Sequence, residues 1–278
     1  MRTLSNYSLL YDWDCPLCQW YTTLFLKYKL LDEQGRIAFQ DVDESQFPTV
    51  DFELARNKIA LVHRENGEVY YGVDSLAKVL GHNFAIVPFF MQFKIVHWLI
   101  EQLYNFISFN RKIVIPVSCN DTTSCNPSKN WFWRISFILF CAVVVNIIVG
   151  HYFTHHLSAY FIGNPLYGDS IYFIGQLVFQ LIICLILGER NWYDYLGHVS
   201  FVSFLGALML GFFGLGLTLL AHLNIQIDLL QPFCYGMVYA WMFLDHRKRL
   251  QTADMDWRLT YSWLFYRLLI YPLAFVTV

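Results

Sequence analysis

"LLYDWDCPLCQWYTTLFLKYKLL" (residues 9–31) runs from a short apolar stretch through an acidic loop to two cysteines three positions apart, and then into a helix-patterned segment. "YSLLYD" (7–12) has the length and composition of a buried strand. From Cys15 onward, Leu17, Trp20, Tyr21, Leu24 and Tyr28 recur at helical spacing, so the helix is expected over 15–31, with Cys18 in its first turn. Pro16 suits that turn, where a missing amide hydrogen costs no bond.

A Cys-x-x-Cys pair at a helix start has a definite chemical use. Free amide hydrogens and the helix dipole stabilise a thiolate at the first cysteine, and the second waits one turn away to resolve a mixed disulfide. Cys15 is therefore the expected nucleophile and Cys18 the resolving thiol. Asp12 and Asp14 stand close enough either to raise the thiolate pKa by like-charge repulsion or to take up the proton that the second thiol loses. Two other readings stay open: a pair of buried structural thiols, and half of a zinc site completed by Cys119 and Cys125, whose five-residue gap is uncommon for zinc ligands. No cofactor and no metal is expected on this evidence.

Working outward, "RIAFQDVD" (36–43) reads as a second strand and 49–56 as a short helix. "KIALVHRENGEVYYG" (58–72) gives two strands turning at Asn66-Gly67. "DSLAKVLG" (74–81) reads as a helix with Asp74 as its N-cap and glycine at its end. Strand, helix, strand, short helix, strand, strand, helix is a thioredoxin-like order. Residues 84–109 are apolar but broken by Lys94, His97 and Glu101, and are expected to pack on the domain or lie at a membrane surface.

Of the 278 residues, 56% are hydrophobic and 14% charged, against about 25% charged in a soluble domain. Charge thins out after Lys112 and returns at "DHRKRLQTADMDWR" (245–258). Two domains are expected: an α/β domain over 1–128 and an all-α transmembrane bundle over 129–278. About five stretches approach the roughly 20 residues a span requires: 132–153, 170–188, 196–221, 227–244 and 260–278, with four if the last lies in the interface. Lys129, Arg134, Arg190, Arg247, Lys248, Arg249 and Arg258 all fall on the N-terminal side of this arrangement, which positive-inside bias makes cytoplasmic. A multi-pass protein of the cell (inner) membrane, partnered by the lipid bilayer, follows. The N-terminus lacks a signal-peptide core, and no basic stripe suggests nucleic acid.

Smaller features carry weaker expectations. Cys119 and Cys125 are loop thiols or a second redox pair. His151, His155, His156 and His222 are interfacial histidines or joint ligands of haem or a metal. Cys141, Cys184 and Cys234 are buried apolar residues or members of an electron relay. Ala207 and Gly211 have small-xxx-small spacing, for packing within the bundle or for a homodimer. Arg267 needs a partner, with Asp228 and Glu189 as candidates. Trp131, Trp133, Tyr193, Trp241 and Trp263 suggest an interfacial aromatic belt.

"YDWDCPLC" resembles the signature of the DCC family of thiol-disulfide oxidoreductases, through Asp12, Cys15 and Cys18. "IAFQDVD", "GEVYYGVDSLAKVL" and "FISFNRKIVI", with Asn110 and Arg111, agree with further family segments. The resemblance covers about residues 7–125. It implies a thioredoxin-like fold and dithiol chemistry on a disulfide- or dithiol-bearing protein or small molecule. Trp13 replaces the family's usual glycine, and "LARNKIAL" lacks the proline that precedes the third strand of thioredoxin folds, so substrate positioning should differ. The competing reading is a redox-inactive membrane module that binds a protein partner, lipid, quinone or haem.

Overall fold

The computed structural model describes residues 2–117, 127–158 and 165–270. Contacts divide the chain into Met1–Arg134 and Ile135–Val278.

In the first unit, β1 (Tyr7–Tyr11), β2 (Arg36–Ala38), β3 (Ala60–His63) and β4 (Val69–Tyr71) form a sheet in the order β2-β1-β3-β4. β1 runs parallel to β2, with Leu10 beside Ile37, and antiparallel to β3, with Leu9 beside Leu61. All five residues of β1 are buried. Successive side chains leave a strand on opposite faces, and the packing follows that rule. Tyr7, Leu9 and Tyr11 join Cys15, Cys18, Phe25 and Val79 in one core, while Leu10 joins Val50, Ala55 and Val62 in another. A central strand covered on both faces does not alternate in polarity, hence the apolar run Leu9–Tyr11, and the one polar member, Ser8, is buried with its hydroxyl accepting from Arg64 Nε at 2.9 Å.

Helices cover the two faces: α1 (Pro16–Lys27), α2 (Phe52–Asn57), α3 (Val73–Gly81), α4 (Ile86–Met91) and α5 (Lys94–Val114). β2 is shorter than its sequence suggests, because the chain tightens at Phe39–Asp41 into a 3-10 turn. The β3–β4 hairpin turns at Asn66-Gly67, where Gly67 has φ +70. Asp74 is not the N-cap of α3. The chain leaves β4 through Gly72, whose φ of +56 starts the helix one residue earlier. Asp74 lies within the first turn and hydrogen-bonds to His97 Nε2 at 2.9 Å. The inner face of α5 is tied to the domain by Tyr104, whose hydroxyl accepts from the Ile59 amide at 3.0 Å, and by Glu101 paired with Lys58 at 3.0 Å. Its outer face exposes Ile95, Trp98, Leu99 and Leu103.

The second unit is mostly helical: α6 (Trp131–Tyr152), which starts just before the division and runs on through a π-helical turn to Leu157, then α7 (Pro165–Leu187), α8 (Trp192–His222), α9 (Leu230–Thr252) and α10 (Arg258–Phe265). Among the described residues, two of the five expected spans are long and apolar enough to cross a membrane: Trp131–Leu157 and Trp192–His222, of 27 and 31 residues. α9 falls short because it continues without a break through Asp245, Arg247, Lys248 and Arg249. α10 is short, and residues 271–278 lie outside the described part.

α7 to α10 meet around buried polar groups. Tyr195 donates to Gln180 Oε1 at 2.8 Å, and the His246 ring reaches Thr260 Oγ1 at 3.1 Å and stacks on Trp263. Trp263 and Tyr193 are thus buried packing residues rather than members of an interfacial belt. Arg267 donates to Ser203 Oγ at 3.0 Å and Tyr239 Oη at 3.2 Å and faces the rings of Tyr172 and Trp263. Glu189, its expected partner, instead accepts from the Asn191 and Asp256 amides. The small residues of α8 meet neighbours inside the unit: Gly206 faces Met242, and Gly211 faces Ile148.

Candidate functional site: the Cys15–Cys18 pair

β1 ends at Tyr11, and α1 begins at Pro16, so the intervening loop delivers Cys15 to the helix mouth. Cys15 is the N-cap of α1, with extended backbone (φ −91, ψ 108), and its sulfur accepts the Cys18 amide hydrogen at 3.4 Å. That role usually belongs to a Ser, Thr, Asp or Asn oxygen. A sulfur there meets the exposed amides and the positive end of the helix dipole, both of which favour an anion.

The Cys18 thiol hydrogen-bonds to the Cys15 sulfur, and this is the main reason the Cys15 pKa falls to about 7. Burial opposes the shift, while the Cys18 amide and the Arg111 charge add to it. The same shared proton, together with burial, drives the Cys18 pKa upward. One proton thus bridges two sulfurs, charge settles on Cys15, and Cys18 keeps its hydrogen. The Tyr21 hydroxyl also reaches Cys18, and burial raises its own pKa well above the ordinary phenol value. Both cysteines are free and buried, Cys15 being only 2% exposed.

Asp12 follows directly on β1 and is buried, and its charge is one of the causes that oppose the lowering of the Cys15 pKa. Oδ1 accepts from the Asp14 amide at 3.1 Å and from Gln40 Nε2 at 3.0 Å, and Oδ2 accepts from Arg111 Nη2 at 3.2 Å. The Asp12–Arg111 pair is almost solvent-free, with side chains 2% and 7% exposed. Arg111 also donates to Ser108 Oγ and to the Arg56 carbonyl. Asp14 is half-buried and accepts from Gln40 Nε2 at 3.2 Å. Gln40 closes the loop by accepting from the Trp13 amide at 3.1 Å. Trp13 itself is 52% exposed.

The four residues expected to carry chemistry therefore lie together around one loop and one helix mouth. Arg111 enters the sequence reading only through a family-like segment, Tyr21 only as an apolar position of the helix, and Gln40 carries no functional signal there.

A strand–CxxC–helix unit with a buried Asp–Arg pair at its base is what a family comparison can test. Residues 9–114 match the model of the DCC1-like thiol-disulfide oxidoreductase family. No curated protein and no solved structure matches the chain. The DCC1-like segment runs from within β1 to the end of α5, so it contains Asp12, Asp14, Cys15, Cys18 and Arg111 and stops before α6.

Among the described residues, the other candidates are spread over separate places. Among the described residues, no three His, Cys, Asp or Glu side chains come together to hold a metal ion. The rings of His151 and His155 lie 4.1 Å apart at a tilt of 36°, whereas His156 turns inward to Tyr152. Cys141 and Cys184 are free and buried, and Cys234 is free and partly exposed. Cys119 and Cys125 lie outside the described residues.

Proposed function

We propose that this protein is a membrane-anchored thiol-disulfide oxidoreductase that works through Cys15 and Cys18. The carrying observation is the Cys15 sulfur in the N-cap position, accepting the Cys18 amide hydrogen at 3.4 Å. In the reductive direction, the Cys15 thiolate attacks one sulfur of a substrate disulfide, and the other sulfur leaves as a thiolate. The Cys18 thiol then loses its proton and attacks Cys15, releasing the second substrate thiolate and closing the Cys15–Cys18 disulfide. Two electrons pass to the substrate, whose two thiolates take up the two protons given up by the pair. Asp12 and Arg111 hold the loop that presents Cys15, and the Arg111 charge helps to keep the thiolate formed.

The sheet order β2-β1-β3-β4, with β1 parallel to β2 and antiparallel to β3, supports a thioredoxin-like plan. Two helices of spanning length and the one-sided placement of Lys and Arg support a multi-pass anchor with the DCC1-like segment on the cytoplasmic side. The purified protein is expected to reduce a model disulfide in the presence of a dithiol donor. Cys15→Ser should abolish turnover, and unchanged turnover would refute the proposal.

The redox-inactive alternative is favoured by one observation, the 2% exposure of Cys15. Iodoacetamide separates the two readings. A redox nucleophile is alkylated well below pH 8 and protected by oxidation, whereas a sealed structural thiol reacts slowly in both states.

A further inference from the structure

Beside Cys18 the DCC1-like segment forms a half-open cavity of about 190 Å³. We propose that it is a subsite for one apolar, ring-sized group adjoining the substrate's disulfide, so that the protein selects hydrophobic disulfides. This inference rests on the oxidoreductase reading and adds a substrate class to it.

Size comes first. A cavity of roughly 150 Å³ holds benzene, so this one accepts a single six-membered ring or a branched aliphatic side chain. Composition agrees. Leu17 and Tyr21 of α1, Leu76 of α3, Tyr104 and Ile107 of α5, and Ile59 supply much of the wall. Several of the polar groups that touch it are engaged elsewhere: Arg111 with Asp12, Lys58 with Glu101, Tyr104 with the Ile59 amide and Ser108 with the Asn57 carbonyl. A polar occupant would compete with those bonds, whereas an apolar one leaves them intact. Cys18 lines the cavity and Cys15 does not. Ile107 is 42% exposed and gives the cavity an edge at the surface. A group entering there binds next to the resolving sulfur, and its attached sulfur is brought to the pair from that side.

The apolar group has two sources, a side chain beside the cysteine of a polypeptide or the body of a low-molecular-weight disulfide. The test uses the full-length protein and two substrate pairs: peptide disulfides with Phe or Ser next to the cysteine, and benzyl against hydroxyethyl disulfide. Burying one such group is expected to raise kcat/KM about tenfold or more over its polar counterpart. A preference confined to one pair identifies the source. Ile107→Trp and, separately, Leu17→Phe fill the cavity and should bring the ratio toward one, with circular dichroism verifying the fold. Ratios near one for both pairs in the wild type, or ratios unmoved in both folded variants, overturn the subsite while leaving the oxidoreductase reading intact. Failure to turn over any of the four substrates overturns both.

Discussion

A sulfur that replaces the customary oxygen at a helix N-cap becomes an acid whose strength reports on the helix. Cys15 has its pKa lowered to about 7, first by the Cys18 thiol, so alkylation rate plotted against pH should show a midpoint near 7, about two units below an unperturbed buffer thiol. Stability follows the same shift. A group whose folded pKa is depressed adds stability in full only above its unfolded pKa, and loses that stability as pH falls through its folded value. The advantage of reduced wild type over Cys15→Ala should therefore grow from pH 7 to 9, by up to about 2–3 kcal/mol at 1.36 kcal/mol per unit, and stay constant below pH 6; urea melts at each pH measure it. Arg111 supplies the second residue-scale expectation. Arg111→Met strands a buried Asp12 carboxylate, a change that typically costs about 3–5 kcal/mol, and removes a charge that favours the thiolate. The variant should unfold earlier in urea, and its alkylation midpoint should rise. Adding Asp12→Asn should recover part of the stability and, because the Asp12 charge raises the Cys15 pKa, bring the midpoint part of the way back down.

The elements show why some of this was legible in the sequence and some was not. β1, α1 and the Asn66-Gly67 hairpin depend on local signals, an apolar run, a helical repeat and a turn dipeptide, and each lies within a few residues of its expected position. The start of α3 does not depend on such a signal. Asp74 has the right chemistry for an N-cap, but the chain's exit from β4 is decided by Gly72, whose amide donates to the Ile59 carbonyl at 2.7 Å across the sheet. An added Cβ there would lie 3.2 Å from both Lys58 Cδ and Tyr104 Cε1, at a φ that side chains avoid. Gly72→Ala should cost at least about 1 kcal/mol in a chemical melt, whereas Asp74→Ala, which removes no cap, should cost less. The Asp12–Arg111 pair was illegible for a related reason: its members stand 99 positions apart and meet only once α5 packs on the sheet. Sequence spacing located the thiols because both lie within one turn of one helix.

At the scale of the whole molecule, hydropathy and helix length part company in α9. Residues 227–244 read as a span, but the helix runs from Leu230 to Thr252 and carries a polar, charged last third with His246 and Arg249 buried. Apolar windows cannot foresee this, because they score each residue against lipid, whereas here the polar side chains face other helices or one another: His246 meets Thr260 and Trp263, and Arg249 lies over the Phe201 ring of α8 while pairing within α9 with Asp245 at 2.7 Å. A helix whose polar end is satisfied by its neighbours can still cross a bilayer with its apolar two-thirds. If α9 crosses, its two ends lie on opposite sides of the membrane, and the basic residues after Leu244 are expected to hold its C-terminal end on the cytoplasmic side. Asn224 and Asp254 mark those ends. Both are exposed turn residues with positive φ, at 58 and 53, where insertions are best tolerated. An epitope inserted after Asn224 should be reached by antibody in intact cells, and one after Asp254 only after permeabilisation. Equal access to both epitopes would show that α9 does not cross.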